Sequence, residues 1–309
     1  MHHQVSVLPV KKQGNSKMNE SVMTLIHRLT PKYLLTRLAG VLARNELGGL
    51  TTWAITQFIK KYKIDMSEAQ KEKPEEYKTF NEFFTRALKD GARPVCPEEN
   101  RLCMPVDGTV AEFGDITYGR IVAAKGQDYS FRSLIGGNDS DAEAFNDGKF
   151  ICIYLSPANY HCIHMPIDGT LRKMVFVPGK YYSVNPTYVK TISELFTKNE
   201  RAVCLFDTPA GPMAMVLVGA TIVGSISTEW HGEVSPNRLR EVTVWDYSDQ
   251  NITLKKGDRM GKFYLGSTVI LLFGRDAVSF VEGIESGKAV KFGEPLADIG
   301  SEKNETENG

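Results

Sequence analysis

A glycine and a serine interrupt a strongly apolar run of the chain. In Lys262–Phe273, KFYLGSTVILLF, aromatic and β-branched residues crowd both ends, as is typical of a buried strand. Glycine inside a strand usually marks a bulge or a place where another group approaches the backbone closely. The pattern therefore indicates either a bulge or a group that must approach the peptide bond between Gly266 and Ser267.

Imidazole groups that could transfer a proton lie close together in one short segment. The segment Tyr160–Pro166, YHCIHMP, carries His161 and His164. Because imidazole exchanges protons near neutral pH, these residues are candidates for acid–base catalysis. Two alternatives remain open: both rings could be hydrogen-bonded locally at the end of a strand, or His161, Cys162 and His164 could bind zinc. The zinc alternative is weak because the sequence offers no second ligand cluster with suitable spacing.

A seven-residue motif occurs twice and carries an aspartate each time. Residues 104–110 read MPVDGTV, and residues 165–171 read MPIDGTL. Asp-Gly between apolar runs is a strong signal for a β-hairpin turn. Two such copies predict a duplicated β unit whose halves are related by a pseudo-twofold axis. In such a unit, one of the two residues Asp107 and Asp168 can take part in chemistry while the other retains only the turn.

Two amphipathic helices are predicted near the N-terminus. Thr30 and Pro31 form a favourable helix start, and a first apolar stripe comprises Leu34, Leu35, Leu38, Val41 and Leu42. A second stripe, which follows Trp53, comprises Ile55, Phe58, Ile59 and Tyr62. Six basic residues and one acidic residue lie between Pro31 and Lys63. This pattern is typical of helices on an anionic membrane surface, and equally of helices packed on their own core.

The rest of the chain is predicted to consist mainly of strands. From Leu102 to about Ile299, short apolar runs alternate with Gly, Asp-Gly and Pro, which is typical of a sandwich or barrel. Before this region, the spacing of Thr79 and Glu82 is that of a capping box and predicts a short helix through Leu88. The expected fold class is α+β: N-terminal amphipathic helices followed by a β-rich domain built from a duplicated barrel- or sandwich-hybrid-like unit.

Composition excludes several broad classes. Of 309 residues, 42% are hydrophobic and 24% are charged, as in ordinary globular proteins. Lys plus Arg equals Asp plus Glu at 37 each, so no overall charge favours nucleic acid as a partner. We expect neither a signal peptide nor a membrane-spanning helix, because no apolar run approaches ~18 residues. The five cysteines form no C-x-x-C pair and are predicted to be buried thiols in a reducing compartment.

Four blocks together resemble the signature of the phosphatidylserine decarboxylase family. They are MPVDG at residues 104–108, YHCIHMP at 160–166, FVPGKYYSVN at 176–185 and LGST at 265–268. The segments TPKYLLTRLAG, FNEFFTRALKDGARP, LFTKNERAVCLFDT and VGATIVGSI are similar to the bacterial type of this family. The blocks occur in family order from about Leu29 to Leu296. Four blocks in order are far more specific than any one of them.

The resemblance implies that the chain cuts itself between Gly266 and Ser267. In this family the serine hydroxyl attacks the carbonyl of the preceding glycine, and the serine becomes a pyruvoyl group that serves as the cofactor. Carried over to this sequence, Ser267 is the nucleophile, His164 is its base and Asp107 orients that base. The products are a large chain, 1–266, and a small chain, 267–309, that begins with the pyruvoyl group.

The resemblance also implies the reaction that follows. The amine of phosphatidylserine forms a Schiff base with the pyruvoyl ketone, which acts as an electron sink while carbon dioxide leaves. Protonation and hydrolysis then release phosphatidylethanolamine, and His161 is the candidate acid. Phe176, Val177 and Pro178 are expected to help wall the substrate pocket. No metal is implied.

Four regions are expected along the chain. They are a polar N-terminal extension at 1–28, membrane-association helices at 29–66, a catalytic β-rich domain at 67–300 and a disordered tail at 301–309. The protein is expected to lie on the cytoplasmic side of the cell membrane as a peripheral protein, with phosphatidylserine and anionic lipid as its partners. The sequence leaves the oligomeric state open, with a homodimer among the options.

Two other functions also remain open. A non-catalytic domain of the lipoyl or biotinyl type would share the turns at 255–263 and 292–300, but the sequence lacks the modifiable lysine motif that such a domain needs. A serine hydrolase using Ser267 would lack the G-x-S-x-G elbow, because Val269 stands where the second glycine is required. Both alternatives predict an intact chain, whereas a decarboxylase predicts two fragments.

Overall fold

The computed structural model describes residues 40–123, 127–220, 226–235, 239–264 and 267–300. The predicted extension at 1–28, the predicted helix start at Thr30 and Pro31 and the predicted tail at 301–309 lie outside the described residues. Leu265 and Gly266, two residues of the LGST block, also lie outside them.

Short helices accompany a fold made mainly of strands. Residues 40–44 are helical, and the further α-helices are α1 (Gly49–Tyr62), α2 (Phe80–Phe84), α3 (Phe131–Leu134), α4 (Asp139–Glu143), α5 (Pro186–Thr191) and α6 (Leu195–Lys198). Single 3₁₀ turns lie at Pro74–Glu76 and Ser248–Gln250. The strands are β1 (Arg101–Cys103), β2 (Gly108–Thr117), β3 (Arg120–Ala123), β4 (Gln127–Ser130), β5 (Lys149–Leu155), β6 (Cys162–His164), β7 (Gly169–Val177), β8 (Arg201–Thr208), β9 (Gly211–Val218), β10 (Ile226–Thr228), β11 (Gly232–Ser235), β12 (Thr243–Asp246), β13 (Thr253–Leu254), β14 (Arg259–Phe263), β15 (Ser267–Phe273), β16 (Val278–Phe280), β17 (Ala289–Val290) and β18 (Pro295–Ile299). The predicted α+β class is confirmed.

Eleven of the described strands form one large antiparallel sheet. Its order is β12-β7-β8-β9-β15-β5-β2-β3-β4, with β13 paired to β7 and β17 paired to β2. Both faces of its centre are buried: in β15, Val269 and Leu271 belong to one apolar core, whereas Ile270 and Leu272 belong to a second core. This two-sided burial explains why the central strands read as continuous apolar runs.

Two smaller antiparallel sheets, β1-β18-β16 and β11-β10-β14-β6, pack against the large sheet. The first core lies between these two sheets and the large sheet, because Leu296 of β18 and Phe263 of β14 cluster with Leu271 of β15. The second core is shared between the large sheet and the short helices, since Phe131 of α3 and Phe196 of α6 belong to it. The β-rich region is therefore layered around two cores.

The apolar run at 262–273 is two strands rather than one. Phe263 ends β14 and pairs with Ile226 in the four-stranded sheet. Ser267 begins β15 and pairs with Leu155 in the large sheet. The chain therefore passes from one sheet to another between Phe263 and Ser267, and the predicted interruption marks this crossing.

The two Asp-Gly motifs are not hairpin turns, so that expectation was wrong. The strands before them, β1 and β6, pair with β18 and β14, whereas the strands after them, β2 and β7, join the large sheet. Each aspartate instead bonds to a distant turn. The Asp107 carboxylate accepts the backbone N–H of Phe292 at 2.9 Å, and the Asp168 carboxylate accepts that of Lys256 at 2.8 Å.

The two copies of the motif are also bonded reciprocally to each other. The N–H of Cys103, before the first copy, donates to the Pro166 carbonyl of the second copy at 2.9 Å. The N–H of His164, before the second copy, donates to the Pro105 carbonyl of the first copy at 2.9 Å. His164 is therefore fixed by the junction between the two copies.

The second predicted apolar stripe faces the protein rather than the solvent. Ile55 is fully buried, and the ring of Phe58 packs edge to face against Phe83 of α2, with ring centroids 6.1 Å apart. A different set of apolar side chains on and before α1 is exposed: Val41, Leu42, Leu47, Leu50 and Trp53. None of the helices that the structure describes is long and apolar enough to span a membrane.

The predicted capping of α2 is confirmed at its start. Thr79 Oγ1 accepts the backbone N–H of Glu82 at 3.1 Å. The helix ends at Phe84 rather than near Leu88, because Leu88 instead forms an isolated antiparallel bridge with Ala69. The short helix thereby places its aromatic residues against α1.

Candidate active site

Ser267 is held at the start of β15, in the middle of the large sheet. It pairs with Leu155 of β5, and the next residue, Thr268, pairs with Val218 of β9. The Ser267 side chain is fully buried, and its Oγ has no hydrogen-bond partner among the described residues. A buried hydroxyl without a partner has lost its hydration without compensation, which in native proteins requires an explanation. A chemical role for this hydroxyl is one such explanation.

His161 is fully buried beside α2 and keeps one ring nitrogen free. Its Nδ1–H donates to the Asn159 carbonyl at 2.7 Å, so Nε2 is the nitrogen with the lone pair. Nε2 has no partner in the described part of the chain. The ring lies against Phe84, with centroids 4.1 Å apart. Burial lowers the pKa of His161 to about 3, so the imidazole is neutral near pH 7.

His164 is also buried, but both of its ring nitrogens are occupied. Nδ1–H donates to the Gly257 carbonyl at 2.8 Å, and the Tyr160 hydroxyl donates to Nε2 at 3.0 Å. The ring stacks on Phe292 with centroids 3.7 Å apart and an interplanar angle of 14°. Burial lowers the pKa of His164 to about 4. For Nε2 to take a proton from another group, the Tyr160 hydroxyl must turn away or pass the proton on.

Asp107 is buried in an ion pair with Arg93. Arg93 donates to the carboxylate from Nε at 3.0 Å and from Nη2 at 2.7 Å, and Nη2 also donates to Glu68 at 2.7 Å. Although burial opposes the charge, these bonds raise the pKa of Arg93 above its ordinary value. The described hydrogen bonds of Asp107 do not include His164. Asp107 and His164 are connected through Phe292, which bonds to Asp107 by its N–H and stacks on His164 by its ring.

A cavity of about 310 Å³ with several charged residues in its lining lies beside these residues. Asp107 lines it directly. Asn159 and Tyr160 also line it, and they are the residues that bond to the two histidine rings. The remaining lining residues are Asp65, Glu68, Arg86, Arg93, Gly108, Ala158, Ala289, Val290, Lys291 and Glu294. The cavity is therefore one residue away from each of the two histidine rings.

Comparison with known proteins gives this arrangement a family. A sequence profile described as phosphatidylserine decarboxylase matches residues 80–298. The chain belongs to the phosphatidylserine decarboxylase family. A second profile, described as PSD, matches residues 22–63. The two matches together cover most of the chain, including the N-terminal region that precedes the β-rich domain.

Full-length relatives bear the same family name. The phosphatidylserine decarboxylase proenzyme of Shewanella frigidimarina is 50% identical over 284 residues, which cover 91% of this chain and 99% of that protein. The phosphatidylserine decarboxylase proenzyme of Vibrio campbellii is 51% identical over 270 residues, which cover 86% of this chain and 95% of that protein. The similarity to the phosphatidylserine decarboxylases therefore spans essentially their whole length.

The predicted residues of the phosphatidylserine decarboxylase signature differ in how they relate to this cavity. Asp107 lines the cavity, and His161 and His164 are bonded to residues that line it. Ser267 does not line the cavity. It pairs with Leu155, the last residue of β5, and the loop that follows β5 carries His161. Gly266, the other residue of the predicted cleavage site, lies outside the described residues.

The expected pocket residues Phe176, Val177 and Pro178 do not line this cavity. Phe176 belongs to the first core and Val177 to the second, and Pro178 is half-buried. The next residue, Gly179, allows a close approach of two backbone segments, because an added Cβ would lie 2.5 Å from the Glu200 nitrogen. This block of the signature therefore has a clear packing role.

Sequence reasoning missed Arg93, Tyr160 and Phe292. A signal for Phe292 was present: residues 254–258 read LKKGD and residues 290–294 read VKFGE. Each segment supplies the N–H that bonds to one motif aspartate. Comparing these two turns would have extended the repeat. Arg93 and Tyr160 carry no such spacing signal, because their partners are distant in sequence or depend on side-chain direction.

The zinc alternative gains no support from the described residues, which contain no group of three His, Cys, Asp or Glu side chains arranged for a metal ion. Cys162 Sγ instead lies 3.9 Å from the Thr85 carbonyl, to which it can donate. All five cysteines are buried free thiols, as predicted.

Proposed function

We propose that this chain decarboxylates phosphatidylserine to phosphatidylethanolamine and carbon dioxide, using a pyruvoyl group made from its own Ser267. The observation that carries the proposal is the buried, unpartnered Ser267 hydroxyl at the crossing between two sheets. Family membership and the name proenzyme of the relatives support a precursor that is cut. Neither the family membership nor the name of the relatives supports the lipoyl-like or the hydrolase alternative.

In the proposed maturation, Ser267 Oγ attacks the Gly266 carbonyl carbon while a base takes the hydroxyl proton. The peptide bond becomes an ester, and loss of the Ser267 α-proton expels the Gly266 carboxylate. The remaining dehydroalanine takes up water and releases ammonia, which leaves the pyruvoyl group on the small chain, 267–309. Pairing of β15 on both sides supports this step, because it holds the nucleophile in place.

We propose His164 as the base of maturation, with Asp107 positioning it through Phe292. The ring of His164 is neutral near pH 7, so it is unprotonated before the reaction, and its stacking on Phe292 fixes its plane. Tyr160 is part of this arrangement, because its hydroxyl occupies the ring nitrogen that would receive the proton.

We propose that His161 moves the proton of turnover. Its free Nε2 can take a proton from the ammonium of the bound substrate, which makes the amine nucleophilic. The same nitrogen can then return that proton to the α-carbon after carbon dioxide has left. The pyruvoyl group supplies the ketone that withdraws electrons during this loss. Phe176, Val177 and Pro178 remain our proposal for an apolar wall near the lipid.

We further propose that the protein attaches to the cytoplasmic face of anionic membranes through the N-terminal region, 29–66. The exposed side chains of Leu50 and Trp53, together with the basic end of α1, support this attachment. The matching bonds of the two Asp-Gly motifs support a duplicated β unit within the catalytic domain, 67–300. A homodimer would be compatible with the membrane attachment and with the duplicated β unit.

Intact-mass measurement of the purified protein tests the proposal. We expect two chains that meet at Gly266–Ser267, with the small chain blocked to N-terminal sequencing. Ser267→Ala should remain one chain. Thr268→Val is the matched control, because Thr268 Oγ1 is also buried without a described partner, and this variant should still be cut. An active protein that remains a single unblocked chain would contradict the proposal.

A further inference from the structure

Arg86 carries a buried charge that the described residues leave almost unpaired. The residue is only 6% exposed, and its Nε has no hydrogen-bond partner in the described part of the chain. Among the described residues, its guanidinium makes one hydrogen bond, which is long: Nη2 donates to the Ala158 carbonyl at 3.4 Å. Burying an uncompensated charge is expensive, so such a group calls for an anionic partner.

The nearby carboxylates are already bonded to other groups. Asp107 is paired with Arg93, and Glu68 is paired with both Arg93 and Lys291. The ring of Phe83, 5.6 Å from the Arg86 guanidinium carbon, offsets only a small part of the charge. Arg86 is therefore a buried cation whose described bonds leave most of its donors unused.

Arg86 lines the cavity of about 310 Å³ described above, together with Asn159 and Tyr160. This volume lies at the lower end of the range for ligand pockets, roughly 300–1,000 Å³. The same two neighbours bond to the rings of His161 and His164. An anion on Arg86 would therefore lie close to the histidines of the proposed reaction.

We propose that Arg86 binds an oxyanion of the phosphate type in this cavity, and that during turnover this anion is the phosphodiester of the phospholipid substrate. This inference rests on the proposed function. The planar guanidinium matches two phosphate oxygens at once. The substrate carboxylate is excluded as its partner, because an ion pair would stabilise the very charge that must be lost as carbon dioxide leaves.

The acidic residues at the cavity narrow the choice of ligand. Asp65 and Glu294 line it and are exposed, whereas Arg86 is buried. Exposed carboxylates favour a ligand that also carries an ammonium group, and they repel a compact dianion. A zwitterionic headgroup therefore fits the cavity better than inorganic phosphate does.

Binding to the uncleaved Ser267→Ala protein tests the inference without any requirement for the pyruvoyl group. Calorimetry should show that glycerophosphoethanolamine binds more tightly than inorganic phosphate. Adding Arg86→Gln should weaken the binding of glycerophosphoethanolamine about 10–100-fold, as expected for loss of charged hydrogen bonds, and Arg86→Lys should restore part of it. The matched charge control is Lys255→Gln, since Lys255 is 73% exposed in its side chain, pairs with Asp168 and lies outside the cavity. This control should change the affinity less than about threefold.

The mature enzyme gives a second readout. With a short-chain phosphatidylserine, Arg86→Gln should raise KM about 10-fold or more while kcat changes much less, as expected for loss of uniform binding. An unchanged KM, or a fall in kcat alone, would overturn the inference. Inorganic phosphate binding more tightly than glycerophosphoethanolamine would overturn the headgroup assignment.

Failure of a variant to fold does not remove the test. If Arg86→Gln is insoluble, absence of saturable glycerophosphoethanolamine binding to the Ser267→Ala protein overturns the inference by itself. The two proposals fail separately. Binding that depends on Arg86, together with no carbon dioxide release by the mature wild-type protein, would refute the proposed function and support the anion site.

Discussion

The two histidines of the YHCIHMP block differ in what their ring nitrogens contact. Tyr160 occupies Nε2 of His164, whereas Nε2 of His161 has no partner among the described residues. Burial keeps both rings neutral near pH 7. Because their surroundings differ, substitution of one ring should affect one step of the chemistry and leave the other step intact.

Substituting each histidine should therefore separate maturation from turnover. We expect His164→Ala to remain uncleaved, and Asp107→Asn largely so, because each removes part of the proposed base. His161→Ala should be cut into two chains but decarboxylate on the order of 10²–10⁴ times more slowly. Fragment ratios on a denaturing gel, with carbon dioxide release from the cleaved material, measure the two steps.

The second motif aspartate provides the control for this experiment. Asp168 is half-exposed and bonds to Lys255, and it does not line the cavity. Asp168→Asn should still be cut at close to the wild-type rate. The role assignment is reversed if His161→Ala blocks cleavage while His164→Ala matures normally.

At the scale of strands and turns, glycine is needed more strictly in one Asp-Gly motif than in the other. A Cβ added at Gly108 would lie 2.6 Å from the Tyr154 backbone oxygen, which cannot yield without moving β5. At Gly169 the nearest atom is Met165 Cε at 3.0 Å, the end of a flexible side chain. Gly108→Ala should lower the free energy of unfolding by about 1–3 kcal/mol and Gly169→Ala by less, measured by urea in the Ser267→Ala background. Equal losses would contradict this reading.

The exposed face of α1 makes membrane attachment testable at the level of one helix. Leu50 is 58% exposed and Trp53 is 61% exposed. Replacing both by serine should weaken binding to anionic vesicles, because two apolar side chains no longer enter the interface. Val244→Ser is the control, since it removes an exposed apolar side chain from β12 instead. Equal vesicle binding by the helix variant and the control would contradict attachment through α1.

Charge at the end of the same helix should add to this attachment. Lys60, Lys61 and Lys63 lie at its C-terminal end. Reversing these three charges should release the protein into the soluble fraction, and high salt should weaken the wild-type attachment. Sedimentation with vesicles measures both effects. Unchanged sedimentation of the variant would mean that the lysines form only a solvated helix face.

Much of this architecture follows from local patterns, and the remainder depends on distant contacts. Capping by Thr79 and the apolar runs of the central strands are set by neighbouring residues, so the sequence predicts them. The partner of Asp107 is not predictable in this way, because the tertiary fold brings the Arg93 guanidinium to the Asp107 carboxylate. The buried charge of Arg86 is equally invisible, because a sequence does not show which charges lose their solvent.

At the scale of the whole molecule, the buried histidines make stability depend on pH. Their pKa values in the folded state, about 3 for His161 and about 4 for His164, lie below the ordinary 6.5. The unfolded chain therefore binds more protons as pH falls below ~6.5, so stability is full above that value and decreases below it. Each histidine should contribute a slope of about 1.4 kcal/mol per pH unit between roughly pH 6 and pH 4.

Denaturant unfolding of the Ser267→Ala protein between pH 7 and pH 4 measures this slope. Replacing either histidine by glutamine should flatten it, because the unfolded state then gains one proton fewer. A slope that is unchanged when both are replaced would mean that other groups control the acid sensitivity.

The place of β15 in the large sheet has a consequence for the history of the molecule. In the cleaved form that we propose, β15 belongs to the small fragment yet remains between β5 and β9 of the large one, while β17 and β18 of the same fragment pair with β2 and β1. The mature protein is then a complex in which one subunit completes the sheet of the other. Refolding of the precursor is a first-order process, whereas recovery of the mature protein from denaturant requires two molecules to meet and becomes dependent on concentration. Under this proposal the assembly is inherited from a single chain, and the two fragments of each molecule stay together from synthesis onward.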